Sequence, residues 1–183
     1  WFALNMPVAD SELNYTNPFE LLVAVVLSAQ CTDKRVNMVT PALFKKYPDL
    51  ESFCNAEVED IEKLIYSCGF YKTKAKDIKE LAIMIRDEFG GREHETIEKL
   101  TSLPGVGRKT ANLVLAKGFN KPAICVDVHV HRIFNRLGYI KTKTPEETEF
   151  ALREKLPIKH WLDINTLMVT HGQNVCKPQK PKC

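Results

Sequence analysis

The run Leu103-Pro104-Gly105-Val106-Gly107-Arg108-Lys109-Thr110-Ala111-Asn112 sets an amine just behind two glycines, where a helical pattern begins. Gly105 and Gly107 permit positive φ and leave no Cβ in the path of a ligand approaching the main chain. The amides that open the following helix have no partner within it. With the helix dipole they form an anion site, for which a nucleic-acid phosphate is the natural occupant. Lys109 adds a nucleophile: the dipole and the neighbouring Arg108 should lower its pKa and enlarge the neutral fraction able to attack carbon. Asp127, eighteen residues later, leaves enough chain to finish a helix, turn and return with a carboxylate. Taken singly, Lys109 is one of 26 basic residues, Gly-Val-Gly an ordinary turn between helices, and Asp127 a helix N-cap.

The elements needed to hold these residues read as helices. Thr96 to Leu100 and Thr110 to Lys117, the latter closed by Gly118, flank the turn. Asn17-Pro18-Phe19-Glu20 is a helix start with Asn17 as cap, proline at the first helical position and Glu20 reaching back in a capping box. Leu21 to Leu27 is apolar on every face and belongs in the middle of the fold. Thr32 caps a helix that Pro41 should break or kink. Val58, Ile61, Leu64 and Ile65 form one apolar stripe, and Ile78, Leu81, Ala82, Ile85 and Phe89 another. Phe70 and Tyr71 lie between them, and position alone favours a plug for the core. Ile124 to His131 alternates like a strand, then reverts to helical spacing, which suggests an extended lead-in with Asp127 capping a helix. Thr144-Pro145-Glu146-Glu147 is a second capping box, and a last helix carries Trp161, Ile164, Leu167, Met168 and His171. Residues 1 to 16 read as an extended lead-in, and no sheet or internal repeat stands out.

At 183 residues the chain can bury a substantial core, and its net charge of +3 is compatible with DNA without pointing to it. No apolar run approaches the length of a bilayer span, so a soluble cytoplasmic, nucleoid-associated protein is expected, with no membrane partner. Six cysteines in a chain of this length do not make a secreted disulfide framework. Cys31, Cys54, Cys68 and Cys125 read as small apolar core residues, whereas Cys176 and Cys183 are spaced in a Lys/Pro tail. Trp1 at the start and a cysteine at the end suggest that both termini are cut.

The glycine-lysine run, followed by Val126-Asp127-Val128-His129-Val130, resembles the endonuclease III family of helix-hairpin-helix DNA glycosylases and abasic-site lyases. The resemblance extends from Pro18 to Cys183. It implies an all-α, two-lobed fold: a six-helix lobe over 11–121 that carries the hairpin, and a second helical lobe from 1–10 and 122–183. By the same resemblance Lys109 is the nucleophile and Asp127 the carboxylate that stabilises positive charge. Gly105, Val106, Gly107 and Arg108 grip the DNA backbone, and the hairpin carbonyls hold a monovalent cation. Gln30, in Leu-Ser-Ala-Gln-Cys-Thr-Asp, aligns with the glutamine that fills the gap left by an extruded base. Phe70 stands where the family has an apolar wedge, usually leucine. Asp33 and His129 match positions near the pocket. Cys176 and Cys183 match the first pair of a four-cysteine set that binds a four-iron four-sulfur cluster, although only two of the four ligands are present.

The implied activity is excision of oxidised pyrimidines from double-stranded DNA, followed by strand cleavage at the abasic site, by a monomer. The lysine separates this reading from related adenine and thymine-mismatch glycosylases, which lack it. An oxidised-purine glycosylase of the same fold, or a hairpin module that only tethers DNA, are the alternatives.

Overall fold

A computed structural model describes residues 13–91 and 95–182, and among them there is no strand. The chain is all-α, and it divides after Phe119 into two compact units.

The first unit is built around helix α1 (Pro18–Ser28), in which Phe19 and every residue from Leu21 to Leu27 are buried. Asn17 caps it by accepting from the Glu20 amide, and Pro18 occupies the first turn, where its missing N–H costs nothing. The expected return bond from Glu20 lands one residue earlier: Oε2 accepts from the Thr16 amide at 2.7 Å and the Thr16 hydroxyl at 2.8 Å. Around α1 are helices α2 (Asp33–Lys46), α3 (Leu50–Cys54), α4 (Val58–Ile65), α5 (Tyr71–Asp87), α6 (Ile97–Ser102) and α7 (Arg108–Gly118). α1 packs directly on α2, α5 and α7. Gly118 makes the last of these contacts possible, since a Cβ there would meet Leu21 at 3.2 Å.

Helix α2 continues past Pro41 instead of ending there. Pro41 lies on the exposed face, where solvent softens the loss of a main-chain donor. Tyr71, expected on a loop, is the first residue of α5.

The second unit begins with irregular chain through Asp127, then helices α8 (Val128–Arg136), α9 (Pro145–Lys155), a short 3₁₀ turn (Ile158–His160) and α10 (Ile164–Asn174). Trp161 falls on the turn before α10 and not within it; its indole N–H donates to the Leu156 carbonyl at 2.8 Å, which ties down the loop. Its core is Ile124, Val126, Val130, Ile133, Phe134, Ile140, Leu152, Trp161, Ile164, Met168 and Cys176. α9 opens as α1 does. Thr144 accepts from the Glu147 amide, and Glu147 bonds the Lys143 amide one residue before the cap at 2.7 Å. No helix among the described residues is long and apolar enough to cross a membrane.

Candidate active site and nucleic-acid interface

Helix α6 ends where the Leu100 and Leu103 carbonyls accept from the Leu103 and Val106 amides, at 3.2 and 3.1 Å. Leu103 and Val106 are buried and anchor the turn from beneath. Gly105 needs to be glycine twice over. Its φ is +72°, and an added Cβ would lie 3.1 Å from Asp77 Oδ2 and 3.3 Å from Val26 Cγ1. Gly107 differs from expectation: its φ is −85°, ordinary for any residue. What it contributes is room, because a Cβ there would meet no protein atom within 4 Å. Gly107 is also the N-cap of α7 and brings no side chain of its own to the helix start. Arg108 and Lys109 are the first two residues of that helix, held from behind by buried Ala111 and Asn112. Lys109 itself is exposed.

An acid stands near this lysine within the same unit. Asp33, the first residue of α2, has its carboxyl pushed above the usual carboxylate range by burial, while the charge of Lys109 pulls it back down. The sequence pairs Lys109 with Asp127; within its own unit, the charge of Lys109 also acts on the Asp33 carboxyl.

Gln30 and Phe70 are brought together. Both are exposed, and both adopt left-handed backbone, φ +52° and +57°, a conformation that costs a side-chain-bearing residue about 1–3 kcal/mol. Phe70, 66% exposed, is no core plug. Gly69 packs against the Gln30 main chain so closely that a Cβ would lie 3.2 Å from the Gln30 carbonyl oxygen. Beneath them lies a residue the sequence reading missed. Lys74 is 5% exposed, and its ammonium donates to the carbonyls of Leu27 at 2.7 Å and Ala29 at 2.6 Å. Burial lowers its pKa below the ordinary lysine value, opposed by the nearby Cys31 and Cys68. The available signal was its spacing, since Lys74 falls on the same helical stripe as the buried Ile78, Leu81 and Ile85. Cys31 is only half-buried; both it and the buried Cys68 are free thiols joined by a hydrogen bond, and the Cys68 thiol is pushed up to about 11, first by burial and then by Cys31. Cys54 and Cys125 are buried as expected.

In the second unit Asp127 caps α8 as its sequence context suggested. Its Oδ1 accepts from the amides of His129 at 3.0 Å and Val130 at 2.9 Å, so the cap occupies one oxygen and leaves Oδ2 out of its bonding. The His129 ring meets Arg132 Nη2 at 2.9 Å. Glycine is required at 172, because a Cβ there would run into His129 Nδ1. Arg132 donates to the Cys176 carbonyl at 2.9 Å, and Arg136 bonds Cys176 Sγ at 3.4 Å and the carbonyls of Lys177 and Pro178 at 2.6 and 2.8 Å. Cys176 is buried, while Cys183 lies outside the described residues. Lys109 and Asp127 belong to different units.

Residues 23–158 match the model of the HhH-GPD superfamily of base excision DNA repair proteins. Endonuclease III of Thermotoga maritima is 47% identical over 92% of this chain and 79% of its own length. The chain belongs to the endonuclease III family. The Bacillus subtilis endonuclease III is 44% identical over 97% of this chain and 81% of its own, and the Escherichia coli K12 protein is 37% identical over 98% and 85%. Among solved structures, a trapped endonuclease III–DNA covalent intermediate, the estranged-adenine complex, superposes with a TM-score of 0.91. It is 43% identical and covers all of this chain and 86% of that one. A thermostable thymine-DNA glycosylase shares the fold at a TM-score of 0.81 and 26% identity, covering 93% of this chain and 80% of that one. As an endonuclease III family member, the chain is a base-excision repair DNA glycosylase with abasic-site lyase activity.

Proposed function

We propose that this enzyme removes oxidised pyrimidines from duplex DNA, with Lys109 as nucleophile and Asp127 as its carboxylate partner in the reaction. The observation that carries the reading is the placement of Lys109: exposed, second in α7, behind a hairpin whose Gly107 leaves open room for a phosphate. The similarity to a trapped endonuclease III–DNA covalent intermediate supports a covalent bond between protein and DNA.

In this reading the damaged nucleotide is extruded from the stack, at an unstacking cost of a few kcal/mol that is smallest where pairing is already weak. The unprotonated Lys109 Nζ attacks C1′ while the bond from C1′ to the base breaks, and the base departs with the electron pair and takes up a proton. Asp127, oriented by its cap bonds, stabilises the positive charge that develops on the sugar. Opening of the ring at O4′ leaves an iminium between Nζ and C1′, which acidifies the C2′ proton. Loss of that proton expels the phosphate oxygen at C3′ and cuts the strand. Water then hydrolyses the imine and restores the amine.

Main-chain amides of Gly105, Gly107 and Arg108 hold the phosphate, with Val106 anchoring the turn through its amide bond to the Leu103 carbonyl; Gln30 fills the vacated stack, and Phe70, larger than a leucine, wedges beside it. Main-chain carbonyls of the hairpin have second lone pairs free for a monovalent cation. The family suggests a four-iron four-sulfur cluster as well. Among the described residues the cluster's donors are represented by Cys176, held by Arg136 at its sulfur, and no group of three or more metal-ligating side chains occurs. Cys176 would be one of the cluster's thiolate ligands, with Cys183 a second.

Duplexes with a single thymine glycol or a single 8-oxoguanine test the substrate class. Faster cleavage of thymine glycol is expected, and preference for 8-oxoguanine would favour the oxidised-purine reading.

A further inference from the structure

We infer that Lys74 is a positioning residue for the two groups that enter DNA. Its buried ammonium and its main chain hold Gln30 and Phe70 as one preorganised unit. This rests on the reading of Gln30 and Phe70 as the residues that fill and wedge the base stack.

Helix α1 ends just before Gln30, and the carbonyls of its last turn form the negative end of its dipole. Lys74 Nζ reaches two oxygens there, Leu27 and Ala29, forty-seven and forty-five residues away in sequence. A lysine suits this task, because three rotatable N–H donors on a point charge can gather carbonyls that diverge from one another. Fixing the carbonyl of Ala29 fixes the peptide that leads directly into Gln30. The main-chain N–H of Lys74 donates to the Phe70 carbonyl at 3.0 Å, which fixes the peptide leaving Phe70. A single residue therefore grips both left-handed turns from below. Gly69 closes the assembly from the side, its missing Cβ allowing the loop of Phe70 to lie on the carbonyl of Gln30.

Neither left-handed residue is glycine, so each conformation persists only because its surroundings impose it. With Lys74 in place, neither turn's main chain has to be ordered when DNA binds, and that ordering cost falls outside the extrusion step. This role predicts a split between two reactions of one enzyme. Excising a stacked base requires extrusion, whereas β-elimination at a preformed abasic site has no base to extrude.

Single-turnover rates should be measured on a thymine glycol duplex and on a preformed abasic duplex, together with the fluorescence of 2-aminopurine beside the lesion and a thermal melt. For Lys74→Met, excision should fall about tenfold or more and the unstacking signal should drop, while abasic cleavage falls by less than about twofold, in keeping with the cost of misplacing a positioned group. Gly69→Ala, which keeps every charge, should shift the same ratio in the same direction by a smaller factor. Equal losses in both reactions, tracking a lower melting temperature, would reduce Lys74 to a fold-stabilising residue and overturn the inference. Gln30→Ala and Phe70→Ala separate the two levels of the argument. If they lose excision selectively and the Lys74 and Gly69 variants do not, positioning is refuted while the reading of Gln30 and Phe70 stands. If they too leave excision intact, that reading fails and takes the inference with it.

Discussion

Two turns of the first unit solve the same backbone problem by opposite means. In the hairpin the left-handed position is Gly105, where positive φ carries no steric cost and the absent Cβ lets Asp77 and Val26 close in. At Gln30 and Phe70 the left-handed positions carry side chains, so their conformations are held from outside by Lys74 and Gly69. A main chain that itself meets phosphate can be glycine. A turn whose side chain is proposed to enter the base stack cannot, and its strain has to be offset elsewhere in the fold.

The sharpest way to break this contrast is at the glycines. Gly105→Ala adds strain at φ +72° and a contact at 3.1 Å, and should destabilise the protein by about 1–3 kcal/mol. Gly107→Ala should leave stability within about 0.5 kcal/mol, because nothing lies within reach of its Cβ, yet weaken DNA binding by crowding the approaching phosphate. Denaturant unfolding and a DNA titration read both effects. Comparable destabilisation by the two variants would erase the distinction between them.

Gln30→Gly tests the other turn with a smaller effect of unusual sign. Relief of the left-handed strain, partly offset by the flexibility of glycine, should leave stability unchanged or raise it by up to about 1 kcal/mol, while excision of a stacked base falls. A clear loss of stability would mean that the glutamine side chain contributes to the fold in its own right.

The smallest expected effect is electrostatic. Burial raises the pKa of Asp33 and the charge of Lys109 lowers it, so Lys109→Gln should move the Asp33 titration to higher pH. Carbon-detected NMR of the aspartate carboxyls would show the shift. A downward movement, or none, would place the two groups beyond each other's reach.

The same contrast explains what could be read from the residues alone. The hairpin was legible because glycine is the residue a left-handed turn demands, and the helix starts because Asn17, Thr32, Thr144 and Asp127 each present a capping oxygen to an amide. Left-handed Gln30 and Phe70 were not legible, since no local preference of glutamine or phenylalanine announces a conformation that distant residues impose. Lys74 was hidden by its identity: a lysine reads as surface charge, and only its place on the stripe shared with Ile78 marks it as buried. The sequence marks Pro41 as a break or kink, and the helix nonetheless continues past it, because the cost of proline depends on which face it occupies, a property of packing and not of the residue. Asp33, whose carboxyl feels the charge of Lys109, lies far from it in sequence; the family resemblance set it near the pocket, which spacing alone could not do.

Borohydride reduction of the enzyme on abasic duplex DNA, with the cross-linked peptide mapped by mass spectrometry, tests the covalent role of Lys109 most directly. The adduct is predicted on the Nζ of Lys109 in the wild-type protein and should vanish in Lys109→Gln, with strand cleavage falling about a hundredfold or more. An adduct of undiminished yield in Lys109→Gln, or one mapped to another amine in the wild type, would contradict it.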